Sequence, residues 1–138
     1  MIKVLHVISD KNIGGAGRLL LNLLEEADRE KFDLSVALPD GSLLIPRIEA
    51  LNINTFRLKG GTSSSELSAM REVCKIIKKE RPHIVHTHSA LFARIAARVC
   101  GIPVKINTKH CSLELTDNIG FPKRRRQNFL THYLPTTQ

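Results

Sequence analysis

Two glycines and three histidines have the types and spacing in this sequence that could do chemistry. Gly14 and Gly15 interrupt HVISDKNIGGAGRLLLNLL, His6 to Leu24, between an apolar run and a leucine-rich one. Glycine has no Cβ, so a ligand can come close to the backbone, and the free N–H groups that open a following helix favour an anion such as phosphate. A plain tight turn would also use such a pair. The dinucleotide pattern GxGxxG is not met, because Leu20 stands where its last glycine belongs, so a nicotinamide cofactor is not expected. In VHTHS, His86 and His88 lie two residues apart on one face of a strand, with His88 nearer its carboxyl end. His86 reads as a core residue, whereas His88, followed by Ser89, is a candidate binding residue. His110 ends the later run VKINTKH, where an imidazole could donate a hydrogen bond to a hydroxyl or a phosphate. Three histidines on one rim could also bind zinc, but no acidic residue near them completes a ligand spacing, and no metal is expected.

These residues must be positioned by alternating strands and helices. Lys3 to Ser9 is apolar on both parities, the mark of a strand covered on two faces. Leu19, Leu20, Leu23, Leu24 and Ala27 then recur at helical spacing, which predicts a helix over Ala16 to Arg29. Phe32 to Gly41 is a second strand, about Leu43 to Leu51 a short helix, and Ile53 to Leu58 a third strand. Ser63 and Glu66 form a capping box for a helix running to about Arg81, with Leu67, Met70, Cys74 and Ile77 on its apolar face. Strand four is His83 to His88, a helix defined by Phe92, Ile95, Ala96 and Val99 follows, and strand five is Val104 to His110. The alternation implies an α/β fold, a doubly wound open parallel sheet that is Rossmann-like, in the order 3-2-1-4-5. In such sheets ligands bind beyond the carboxyl ends at the switch point, here between strands one and four.

The 138 residues, 42% of them hydrophobic, suit one domain. No apolar run approaches the roughly 20 residues of a spanning helix, and MIKVLHVIS lacks the features of a signal peptide, so a cytoplasmic protein is expected. Cys74, Cys100 and Cys111 are odd in number and outside any CxxC spacing, which reads as reduced thiols, the first two packed on helix faces and Cys111 a bystander beside His110. The net charge of +8 favours polyanions: nucleic acid, anionic lipid or phosphorylated ligands.

The GGA loop followed by Arg18, the strand-four run PHIVHTHS and the strand-five end TKH together resemble the N-terminal domain of retaining nucleotide-sugar glycosyltransferases of the GT-B type, family 4. The resemblance spans nearly the whole chain. It is most specific in KKERPHIVHTHSALFARIAARVCGIP, where His83 replaces a commoner Asp. It implies that Gly14 and Gly15 lie against the donor diphosphate and the acceptor in an interdomain cleft. It also implies that His110 stands near the transferred sugar as the catalytic candidate, that His88 borders the cleft, and that Arg18 matches the arginine after GGA, with Gly17 where the family often has Glu.

On this resemblance residues 1–138 form a single acceptor-side domain, a fragment of a two-domain enzyme whose C-terminal domain carries an E-x7-E motif. Glu72 and Glu80 have that spacing, but they fall in the third helix and read as a chance match. The implied activity is transfer of a sugar from a nucleotide-diphosphate sugar, with retention, to a sugar or lipid-linked acceptor. No cofactor is required, and the isolated chain is expected to be inactive. The alternative is a non-catalytic nucleotide- or nucleic-acid-binding module, argued from charge and weakened by the scarcity of stacking residues: five Phe, one Tyr and no Trp. Lys123, Arg124, Arg125 and Arg126, flanked by Phe121, Phe129 and Leu130, are either a solvated face or a segment that draws the protein to an anionic membrane surface.

Overall fold

Aliphatic residues on both parities leave the first strand no face for water, and the chain buries it at the centre of a sheet. A computed structural model of the protein describes residues 1–59 and 66–109. In chain order the elements are β1 (Ile2–Ile8), α1 (Gly15–Glu26), β2 (Phe32–Pro39), α2 (Ile45–Ala50), β3 (Asn54–Leu58), α3 (Glu66–Glu80), β4 (Ile84–His88), α4 (Leu91–Val99) and β5 (Val104–Thr108). The five strands pair in parallel in the order β3-β2-β1-β4-β5, as the alternation implies. Ser63, with the capping box expected there, His110, Cys111 and the basic run at 123–126 lie outside the described residues.

Side-chain parity splits the core in two. Val4, Ile8, Leu34, Val36 and Leu38 face α1 and α2, where Leu20, Leu24, Leu44 and Ile48 are fully enclosed. Leu5, Val7, Ala37 and Val85 face α3 and α4. β1 is therefore buried on both sides, which is why it carries no polar alternation.

Helix faces and ends differ from the periodicity reading at definable places. α1 stops at Glu26 rather than Arg29, because the Asp28 side chain accepts the Glu30 and Lys31 N–H groups and its carbonyl accepts that of Phe32, which turns the chain into β2. In α3 the buried line is Ala69, Val73 and Ile77, whereas Leu67 is exposed and Met70 and Cys74 only flank the core. In α4 the buried residues are Phe92, Ala93, Ala96 and Ala97, and the larger Ile95 and Val99 point outward. Small side chains let α4 sit close against α3 and the sheet, so volume rather than hydrophobicity selects the inner face. Cys74 and Cys100 pack against this cluster as free thiols, and burial, followed by the Cys100 thiol, raises the Cys74 pKa.

Candidate functional site

The carboxyl ends of three strands form one row. Ile8 of β1 pairs with His88 of β4, and His88 pairs with Thr108 of β5. The loops leaving these ends therefore emerge on one rim, at the point where the strand order reverses direction.

The loop after β1 is held by short-range polar contacts. Asp10 Oδ1 accepts the Asn12 N–H at 3.0 Å, the Lys11 carbonyl accepts the Leu43 N–H at 2.9 Å, and the Ser42 hydroxyl donates to the same carbonyl at 3.3 Å. Gly14 then caps α1 with φ −90° and ψ −164°, without a side-chain hydrogen bond, and no acidic residue stands in the first turn. The amides that open α1 thus meet no carboxylate within the helix and remain suited to an anion. Neither Gly14 nor Gly15 uses a positive φ; among the described glycines only Gly41 and Gly101 do. The reason for glycine here is space. A Cβ on Gly15 would have nothing within 4 Å, and one on Gly14 would stand 3.5 Å from Asp10 Oδ2. Gly17 differs, because a Cβ there would press on Leu44 at 3.1 Å; the residue is a packing contact between α1 and the start of α2. Arg18 is exposed on α1, and its N–H donates to the Gly14 carbonyl.

His86 and His88 do share one face of β4, but the face is enclosed. His88 is 1% exposed and His86 8%. Both meet His6, a residue the spacing arguments passed over, which sits opposite His86 in the β1–β4 register and is 2% exposed. His6 Nδ1 lies 3.4 Å from His88 Nε2, and His86 Nε2 is 2.8 Å from the Thr108 hydroxyl. Ring centroids are 5.1 Å apart for His6 and His86, 5.7 Å for His6 and His88, and 4.3 Å for His86 and His88. Burial first, and then the neighbouring His86 and His88, push the His6 pKa from 6.5 down to about 3, so the ring is neutral at physiological pH. Just beyond His88, Ser89 takes a left-handed φ of 56° and its N–H donates to the Thr108 carbonyl, a strained turn of the kind found at functional rims.

Of the expected site residues, Gly14, Gly15 and Arg18 stand on the rim loop and first turn, and His88 lies one row beneath, inside the sheet face. His110 falls outside the described residues. Spacing missed His6 and the half-buried Asp10; parity would have placed His6 on the same face as His86 once β1 and β4 were known to pair. His83 lies at the opposite end of the strand, where its Nδ1 accepts the Lys3 N–H at 2.9 Å, a task a carboxylate could equally perform. Glu72 Oε2 accepts the Lys59 N–H at 2.8 Å, so one half of the E-x7-E spacing serves the exit of β3.

A parallel sheet with paired helices on each face and a glycine loop at its switch point is a Rossmann-like α/β domain. Its backbone superposes on the solved structure of MurG from Acinetobacter baumannii with a TM-score of 0.63 at 16% identity, over 78% of this chain and 35% of that one. The domain is the N-terminal half of a GT-B fold. Residues 13–137 match Glycosyltransferase Family 4, and the chain belongs to that family. It is 32% identical over 114 residues to EpsF of Bacillus subtilis, which is named as a candidate glycosyltransferase, across 78% of this chain and 30% of that protein. It is 28% identical over 116 residues to the Escherichia coli UDP-Gal:α-D-GlcNAc-diphosphoundecaprenol α-1,3-galactosyltransferase, across 79% of this chain and again 30% of the relative. The chain thus matches about a third of the length of these relatives. Among the described residues no helix is long and apolar enough to cross a membrane.

Proposed function

We propose that this domain is the acceptor-side half of a glycosyltransferase that moves a sugar from a nucleotide-diphosphate sugar to a lipid-linked or sugar acceptor with retention of configuration. The observation that carries the reading is the open backbone at Gly15, with nothing within 4 Å of a Cβ position at the head of a helix on the switch-point rim. Membership of a transferase family supports it, and a relative that uses UDP-Gal and a diphosphoundecaprenol-linked acceptor supports the donor and acceptor classes. In this reading the α1 amides meet the charge that develops on the leaving diphosphate, and His110 positions the sugar, with no metal at the reacting atoms. Gly14 leaves room for the acceptor beside Asp10, whose carboxylate is placed to accept a hydroxyl hydrogen bond. Arg18 completes the cleft lining, and His88, enclosed one row beneath, supports the strand end under it.

The test is an assay of the full-length enzyme, this chain with its continuation, against radiolabelled UDP-sugars and a lipid-diphosphate-sugar acceptor. Transfer with the anomeric configuration kept is expected, and residues 1–138 alone are expected to give none. His110→Ala should lower turnover about fivefold to tenfold, the weight of one neutral hydrogen bond, with little change in melting temperature. Salt-sensitive binding of oligonucleotides without any sugar transfer would replace this reading with the non-catalytic module. The run Lys123 to Arg126 adds a second expectation, weak attachment to vesicles of anionic lipid at about 1 kcal/mol per basic residue. Co-sedimentation that is indifferent to salt, or to Gln at Arg124, Arg125 and Arg126, would remove the membrane from the proposal.

A further inference from the structure

We propose that His6, His86 and His88 form a buried binding site for a transition-metal ion of the zinc class, tying β1 to β4 beneath the glycine loop. Two ligands stand at i and i+2 on one strand and the third is the register partner of the first on the adjacent strand, so the sheet itself aims three imidazoles into one space. One ring nitrogen from each residue lies within 4.8 Å of the others. A tetrahedral ion about 2.0–2.1 Å from each nitrogen sets nitrogen–nitrogen edges of about 3.4 Å. The His6 Nδ1 to His88 Nε2 distance is 3.4 Å, long for an N–H···N hydrogen bond and equal to that edge. The remaining separations reach up to 4.8 Å and would have to close around a bound ion.

One further observation points to a ligand. The Thr108 hydroxyl, 2.8 Å from His86 Nε2, supplies the outer-shell contact that orients a ligating imidazole through its other nitrogen. The donor set is nitrogen only, which suits Zn²⁺ or Co²⁺ and not Mg²⁺ or Ca²⁺. An entry path exists: His6 and His86 line a groove of about 500 Å³ between α1 and the sheet, whose lining also includes the carboxylate of Glu26. The ion is structural and lies apart from the reacting atoms, so the site stands whether or not the transfer chemistry proposed above is correct.

The test uses the complete chain, stripped with EDTA, dialysed and titrated with CoCl₂ and ZnCl₂. One Co²⁺ per chain with visible ligand-field bands is expected, together with a rise of several degrees in melting temperature at saturating Zn²⁺. His6→Gln and His88→Gln should each weaken binding by at least about 100-fold, since removal of even an outer-shell partner costs 10–100-fold. His83→Ala, and the joint replacement of Cys74, Cys100 and Cys111 by Ser, should leave it intact. Should the histidine variants fail to fold, X-ray absorption on the zinc-loaded wild type decides, with nitrogen scatterers at about 2.0–2.1 Å expected. No metal uptake, uptake that survives His6→Gln, or sulfur in the first shell overturns the site.

Discussion

Acidifying the metal-free protein from pH 7 to pH 4.5 is expected to cost roughly 2–3 kcal/mol of folding stability through His6 alone. The unfolded chain takes up a proton on this imidazole near 6.5, whereas burial and the neighbouring His86 and His88 hold the folded value near 3. Between those limits the unfolded state binds more protons than the folded one, so stability rises with pH across the window. The contribution is fully present above 6.5 and is lost, at about 1.4 kcal/mol per pH unit, as the pH falls toward 3. The groups facing His6 reinforce the sign. His86 and His88 carry no negative charge to welcome a proton, and Glu26 and Asp28 only line the adjoining groove, with Asp28 already paired with Lys31 at 2.8 Å. Urea unfolding at pH 7, 6, 5 and 4.5 with EDTA present would check it. His6→Leu, which fills the same apolar face without a titrating group, should flatten the slope between pH 6.5 and 5, where carboxylates contribute least. Parallel curves for wild type and variant would show that His6 does not set the acid limit.

The cluster behind that prediction also shows where the sequence could be read and where it could not. The strand order followed from the alternation of strands and helices, and the double burial of β1 from its apolar residues on both parities, since a parallel sheet covered on both faces hides such a strand. The glycine loop followed as well, since paired glycines between a strand and a helix have few uses. What spacing could not show was that His6 and His86 stand side by side. They are eighty positions apart, and although the expected strand order already set β1 beside β4, the register that brings the two residues level is not encoded in any local pattern. The same limit put Ile95 and Val99 on the inner face of α4. Periodicity finds an apolar stripe, but whether alanine or isoleucine faces the neighbouring helix is settled by the distance between the two axes.

The buried state of His88 changes what the rim can do. Read from spacing, the residue is a candidate binding contact at the strand end, and the family resemblance puts it at the border of the cleft. Enclosed at 1% exposure and one row beneath the loop, it supports the strand end from which Ser89 turns back to Thr108. Direct contact with a ligand then falls to the loop after β1, and the glycines there become the point at which the functional proposal can fail.

Gly15→Val in the full-length enzyme is expected to lower kcat/KM at least about 100-fold, comparable to the loss of one backbone donor from an anion-stabilising site. The variant should fold normally, since a Cβ at Gly15 has nothing within 4 Å and the residue opens a helix without a positive φ. The added methyl groups therefore occupy space that the protein leaves unused and that the donor diphosphate or acceptor would fill. Gly17→Val, two residues later, is the control. Its Cβ would stand 3.1 Å from Leu44 Cδ2 and 3.4 Å from the Asn12 carbonyl, so the cost falls on packing between α1 and α2. Overpacking of about 1–3 kcal/mol should lower its melting temperature while the folded fraction keeps most of its activity. Kinetic constants and melting temperatures of both variants separate the two roles. A Gly15→Val enzyme with unchanged kcat/KM would mean that no ligand approaches this loop, and an equal loss of activity and stability in both variants would reduce the glycine run to a turn.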